Sequence, residues 1–203
     1  MGLSDVKAVF LTAGIAADDD GISENAAVGN NAALTIGGAL ASGGAVTLNA
    51  GQLVTITSAG DDDEISFTVV GTDIFGADLT ESVTGANAGV ATSSGFFKTI
   101  ASITAVGDPA GNVKAGVSAD CADNIFAGPA RLKGAYIVNS ATAGTIKFRT
   151  TSVSGTVLME VGTVASATVT RDVSIPEEGV KFPSGVIITY TGATFTSLTA
   201  FHA

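Results

Sequence analysis

Carboxylates gather at two places, Asp18-Asp19-Asp20-Gly21 and Asp61-Asp62-Asp63-Glu64. Oxygen ligands at that density are what a hard cation such as Ca²⁺ needs. A helix-loop-helix calcium loop requires oxygens at alternating positions, glycine at the sixth and glutamate at the twelfth. With Gly21 placed sixth, Ala16 falls first and Ala27 twelfth, so the motif fails. A solvated acidic turn is expected at 18–20. The second cluster lies between two strand-like runs, where it is expected to cap a hairpin turn and discourage edge-to-edge pairing. A looser cation site at either cluster is left open.

Other catalytic material is sparse. One histidine and one cysteine cannot build a zinc site of the usual Cys/His kind, and a lone cysteine permits no intrachain disulfide. Cys121 stands in Ala-Asp-Cys-Ala-Asp, where flanking carboxylates disfavour the thiolate, so a buried, inert residue is expected. His202 follows Phe201 at the penultimate position, with little scaffold for an orienting acid and a nucleophile. A surface or interface histidine is expected. Glu177 and Glu178 are adjacent in a Pro/Gly turn, which does not aim two carboxylates at one glycosidic bond. The sequence has no Gly-x-Ser-x-Gly elbow, phosphate loop or dinucleotide fingerprint. The expectation is a protein that is not an enzyme, with no catalytic residues, no metal and no cofactor.

The basic residues of the C-terminal part are more informative. Arg131 and Lys133 are two apart, as are Lys147 and Arg149. On a strand, that spacing projects each pair from one face. If 131–139 and 145–150 form a hairpin around 140–144, all four cations share an outward face. Such a face is either simply solvated or the candidate interface, complementary to the acidic half of a neighbouring copy or to an acidic protein lattice.

Alternation of period two is what would position these groups. Val54 and Ile56 alternate with Thr55 and Thr57, and Ile65, Phe67 and Val69 alternate with Ser66 and Thr68. Further strand-like runs occupy 79–83, 96–106, 132–139, 145–150, 156–161, 167–175, 186–191 and 195–201. Gly-, Asp- and Pro-containing turns separate them. No stretch carries convincing helical periodicity. The fold class expected is all-β: two small antiparallel β-sandwich or jelly-roll-like domains with an extended N-terminal arm.

The chain has 203 residues, 46% of them hydrophobic, and a net charge of −10 from 19 acids against 9 bases. Residues 1–128 carry 15 acids and 3 bases; residues 129–203 carry 4 acids and 6 bases. This shift suggests residues 1–38 as arm or irregular segment, 39–128 as an acidic β domain, and 129–203 as a C-terminal β-sandwich. The arm is expected to be ordered by a neighbouring chain. Acidity argues against a nucleic-acid partner. No run reaches the roughly 18 apolar residues of a membrane helix, so no membrane partner and a soluble, unprocessed protein are expected.

Several phrases resemble small virion structural proteins of marine tailed bacteriophages, cyanophages among them. They include Val54-Thr55-Ile56-Thr57-Ser58-Ala59-Gly60-Asp61-Asp62, Phe67-Thr68-Val69-Val70-Gly71-Thr72-Asp73, Leu132-Lys133-Gly134-Ala135-Tyr136 and Ile175-Pro176-Glu177-Glu178-Gly179-Val180-Lys181-Phe182. The resemblance covers about four-fifths of the chain and leaves out roughly the first 35 residues. It implies a many-copy, non-enzymatic virion component, most simply a capsid decoration or cement protein. The partners implied are the major capsid protein and further copies of the chain, as a homotrimer or other homo-oligomer. The location implied is the capsid exterior, after assembly in the host cytoplasm. The alternative is a tail or head fibre or adaptor component with a receptor- or glycan-binding β module.

Overall fold

A computed structural model describes residues 5–203, and those residues form strands and turns with no helix. The protein is all-β and antiparallel, as the alternation predicts. The chain divides into two compact units. One is Ile15–Asp120; the other combines the chain up to Gly14 with Cys121–Ala203.

The first of these units holds β2 (Asp18–Ala27), β3 (Ala41–Ser42), β4 (Ala45–Ser58), β5 (Ser66–Thr72), β6 (Asp78–Thr84), β7 (Val90–Val106) and most of β8 (Asn112–Phe126). Its strand order is β8-β4-β7-β5-β6, with β2 paired to β8 and β3 to β4. The 17-residue β7 serves two neighbours: Val90–Phe97 lie largely against β4, and Thr99–Val106 lie mainly against β5. The sheet curls around one apolar core that includes Ile22, Val54, Ile56, Phe67, Val69, Phe97, Ile100 and Ile103. Thr and Ser take the alternate positions, which satisfies the period-two pattern.

The second unit is a two-sheet sandwich. One sheet has the order β1-β15-β9-β12, from β1 (Lys7–Thr12), β15 (Phe195–His202), β9 (Ala130–Asn139) and β12 (Thr170–Ser174); β13 (Val180–Phe182) also pairs with β9. The other contains β11 (Val157–Gly162), β10 (Thr145–Arg149) and β14 (Val186–Thr191), with β14 beside β8. Leu132, Ile137, Phe182 and Leu198 of the first sheet and Ile146, Phe148 and Ile188 of the second are fully buried. The Tyr190 and Phe195 rings meet between them at 4.7 Å.

Three expectations change. First, residues 1–38 are not, over their described part, an arm awaiting another chain. Lys7–Thr12 pair with Ser197–His202, Asp18–Ala27 pair with β8, and Leu34 donates its N–H to the Ile103 carbonyl. Ile22 and Leu34 are core residues. Second, contacts divide the chain at Gly14/Ile15 and Asp120/Cys121 rather than at 38 and 128, because β1 belongs with β15. Third, 131–139 and 145–150 are not a hairpin. Both sides of β9 are already taken by β15 and by β12 and β13, so the chain turns at 140–144 into the other sheet.

Candidate functional site

The chain at Gly14–Ile15 is held in two ways. Gln52 is wholly buried, and its side-chain amide behaves like a strand partner: Oε1 accepts from Ile15 N at 3.2 Å, and Nε2 donates to Ile15 O at 3.1 Å and Ser118 O at 2.8 Å. In the sandwich unit, Tyr190 Oη accepts from Gly14 N at 3.1 Å and donates to Asp123 Oδ2 at 2.9 Å. Burial, then the Asp123 carboxylate, pushes the Tyr190 hydroxyl well above its ordinary pKa, so it remains a neutral donor. These groups position backbone, and none is arranged as a nucleophile with a base.

His202 is not at the surface, one of the two places expected for it. It is buried and stacks on Phe126, ring centroids 4.9 Å apart. Burial and then the charge of Lys7, opposite it across β1 and β15, lower its pKa. Cys121 is buried. Both acidic clusters also differ from their readings. Asp18, Asp19 and Asp20 lie in a strand, with carboxylate oxygens within 4.8 Å of one another. Asp19 takes the Lys114 ammonium, and that hydrogen bond raises the pKa of Lys114. No other three such groups converge this closely among the described residues. Asp61–Glu64 do not close a hairpin, because β7 lies between β4 and β5. Asp62 is buried, and its Oδ1 accepts from Ala110 N at 2.7 Å, tying this turn to the one before β8.

The four predicted interface cations separate by sheet. Lys147 and Arg149 are on β10. Lys147 stands opposite Glu160, and Arg149 donates to Thr189 Oγ1 and Gly155 O, both at 2.8 Å. Arg149 is thereby held by its neighbours on β14 and in the 150–156 loop, and Lys147 faces a carboxylate across the strand pair. Arg131 and Lys133 are on β9 and reach the 177–178 turn: Arg131 Nε lies 3.6 Å from Glu178 Oε2, and Lys133 Nζ donates to Glu177 O at 3.1 Å.

Lys181, which sequence reasoning missed, stands directly opposite Arg131 across β13 and β9. The two line a shallow hollow of about 250 Å³ with Pro129, Ala130, Phe182 and Ala203. A bulge in β9 decides which way these cations point. Phe201 pairs with Gly134 but His202 with Leu132, so Lys133 is passed over. That extra residue reverses the alternation. Leu132 joins Ala135 and Ile137 on the buried side, whereas Arg131 and Lys133 remain on the solvent side with Tyr136. Phe10, Thr199 and Tyr136 form a row across β1, β15 and β9, and paired residues share a face. Phe10 is 67% exposed and Tyr136 41%. One sheet face therefore carries three cations and two exposed aromatics, together with Asp172, which stands opposite Tyr136 on β12.

Comparison with protein-family models, with curated proteins and with solved structures finds no match to this chain.

Proposed function

We propose that the chain is a non-enzymatic virion structural protein, a capsid decoration or cement protein on the outside of a tailed-bacteriophage head, bracing the lattice of the major capsid protein. The observation that carries this reading is the outward face of the β1-β15-β9 sheet. Aromatic and arginine side chains are enriched where proteins meet proteins, and this face presents Phe10, Tyr136 and Arg131 on a broad sheet beside only a shallow hollow. The resemblance of phrases between Ala39 and Val186 to virion proteins points the same way. The mechanism is contact area repeated over many copies, each adding a modest interface to a lattice junction. The acidity of Ile15–Asp120 adds repulsion between decorated particles, which keeps them dispersed.

Quantitative mass spectrometry of purified particles, with labelling of this chain in electron micrographs, tests the assignment. Many copies per head on the outer surface support decoration. A handful at the tail or vertex supports the fibre or adaptor alternative, and absence from particles refutes both.

A further inference from the structure

Asp62 is fully buried, yet only one of its carboxylate oxygens is used. Oδ1 accepts from Ala110 N at 2.7 Å, whereas Oδ2 has no hydrogen-bond partner. The bases of the Ile15–Asp120 unit are Lys98 and Lys114; Lys98 donates to Asn49 O and Lys114 is taken by Asp19, so neither serves Asp62. A carboxylate buried without a counter-charge and with an idle oxygen is costly, and such an atom calls for a bound ion or water. Ser58, which opens the same turn, is 3% exposed, and its hydroxyl is also without a partner. Ala59, Asp61 and Asp63 are exposed, so Ser58 and Asp62 both turn inward.

Three turns of the Ile15–Asp120 unit meet at this carboxylate: 58–65, 85–89 and 107–112. Asp62 N donates to Ala86 O at 3.3 Å, Ala88 N to Gly60 O at 2.7 Å, and Ala59 N to Asn112 O at 2.9 Å. Glycines let the backbones close up. A Cβ on Gly60 would lie 2.8 Å from the Ala110 carbonyl carbon, and one on Gly85 2.5 Å from Asp62 O. Peptide groups therefore crowd the carboxylate from two sides. The same turns carry five carboxylates, Asp61, Asp62, Asp63, Glu64 and Asp108, and no base, histidine or cysteine. Carboxylate and carbonyl oxygens without nitrogen or sulfur ligands are the donor set of a hard cation.

We propose that the junction of these three turns binds Ca²⁺, with Asp62 Oδ2 as the inner carboxylate ligand. Asp61, Asp63, Glu64 and Asp108 are exposed and do not converge as a trio, so they supply negative potential at the junction rather than a fixed cage. Backbone carbonyls and water complete the shell. Ca²⁺ is preferred to Mg²⁺ because irregular turns do not offer the near-ideal octahedron that Mg²⁺ demands. A single buried carboxylate among neutral oxygens puts the affinity at the weak end of protein calcium sites, with a dissociation constant on the order of 10⁻⁴–10⁻³ M. The ion neutralises Asp62 and fastens the turns that precede β5, β7 and β8 to one another. The site is independent of the virion role.

Calcium titration of the full chain, first stripped with a chelator, tests this by thermal unfolding and by amide NMR shifts. Raising free Ca²⁺ to about 10 mM is expected to lift the unfolding midpoint by about 3–8 °C, with Mg²⁺ about tenfold weaker. Saturable shifts should centre on the amides of Asp62, Ala86 and Ala110. Asp62→Asn keeps the acceptor for Ala110 N and removes the charge, so it is expected to fold and to bind Ca²⁺ about tenfold or more weakly. If Asp62→Asn does not fold by circular dichroism, the exposed triple variant Asp61→Asn/Asp63→Asn/Asp108→Asn decides, with an expected weakening of about fivefold. Asp18→Asn/Asp20→Asn leaves the response unchanged. A chain indifferent to Ca²⁺, as a proton or a buried water at Oδ2 would make it, overturns the proposal. Shifts spread over every acidic turn or centred on Asp18–Asp20 overturn it too, as does a response undiminished in the deciding variant.

Discussion

Replacing Gln52 by Glu changes one buried atom and inverts its role. In the native chain Nε2 donates to two carbonyls, Ile15 O at 3.1 Å and Ser118 O at 2.8 Å, while Oε1 accepts from Ile15 N. A glutamate keeps the acceptor but sets a second oxygen against those two carbonyls. Kept neutral, the acid donates once and leaves one carbonyl without its donor, at a cost of about 1–3 kcal/mol. Ionised, it repels both carbonyls in a site without solvent, so its folded-state pKa rises above the ordinary Glu value near 4.3. The sign follows. The folded state then holds a proton that the unfolded state has released, so stability falls as pH rises above about 4.3 by up to about 1.4 kcal/mol per unit, until the folded pKa is passed. Urea unfolding of Gln52→Glu and wild type at pH 5 and pH 8 isolates this, because the titrating group exists only in the variant. The expected penalty is about 1–3 kcal/mol at pH 5, growing by at least about 1 kcal/mol at pH 8. A penalty equal at both pH values would refute the reasoning, as would a loss below about 0.5 kcal/mol.

Gly116 lies where an added Cβ would sit 1.9 Å from Asp18 O, so Gly116→Val is expected to expel β2, read as loss of amide-exchange protection over Asp18–Ala27. Tyr190→Phe removes a buried hydroxyl that serves Asp123 and Gly14, with an expected loss of about 1.5–3 kcal/mol in chemical unfolding. For His202 the folded pKa lies below the unfolded value of about 6.5, so stability conferred by the neutral ring is present above that pH and lost as pH falls through the folded pKa. NMR titration should place its midpoint below 6.5, and His202→Phe should flatten the acid side of the stability profile. Glu81 accepts from Ser94 N at 2.6 Å and Gly95 N at 2.8 Å; Glu81→Ala should cost about 1 kcal/mol, its partial exposure reducing the gain of a charged hydrogen bond.

Strands with one buried face were legible. The alternation at 54–57 and 65–69, and the runs from 79 to 201, coincide with parts of β4 to β7, β9 to β12, β14 and β15. Pairing was not. A five-residue turn at 140–144 reads the same whether the chain reverses into a hairpin or crosses between sheets, and the choice depends on β15, β12 and β13 occupying the flanks of β9. β8 was hidden for a steric reason. Gly116 admits the β2 backbone, and Ala115, Cys121 and Ala122 are fully buried, so the strand resembles a small-residue tract until its neighbours are known. β2 itself opens on three aspartates and owes its order to β8. At the candidate surface, Arg131 and Lys133 were readable from their spacing. Lys181 sits in a three-residue strand too short to show a pattern, and the bulge that turns the cations outward depends on register alone.

The discontinuous make-up of the sandwich unit has a consequence during synthesis. β1 is made long before its partner β15, with Lys7 waiting for His202. Translation at roughly 5–20 residues per second puts on the order of 10–40 seconds between them. Ile15–Asp120 can leave the ribosome and bury its core well within that time. The nascent chain thus carries a finished domain behind a leading strand that still offers an open hydrogen-bonding edge and the apolar side chains of Val9, Phe10 and Leu11. Crowded polysomes making this protein hold many such strands at once, and synthesis of β15 is what removes them from competition.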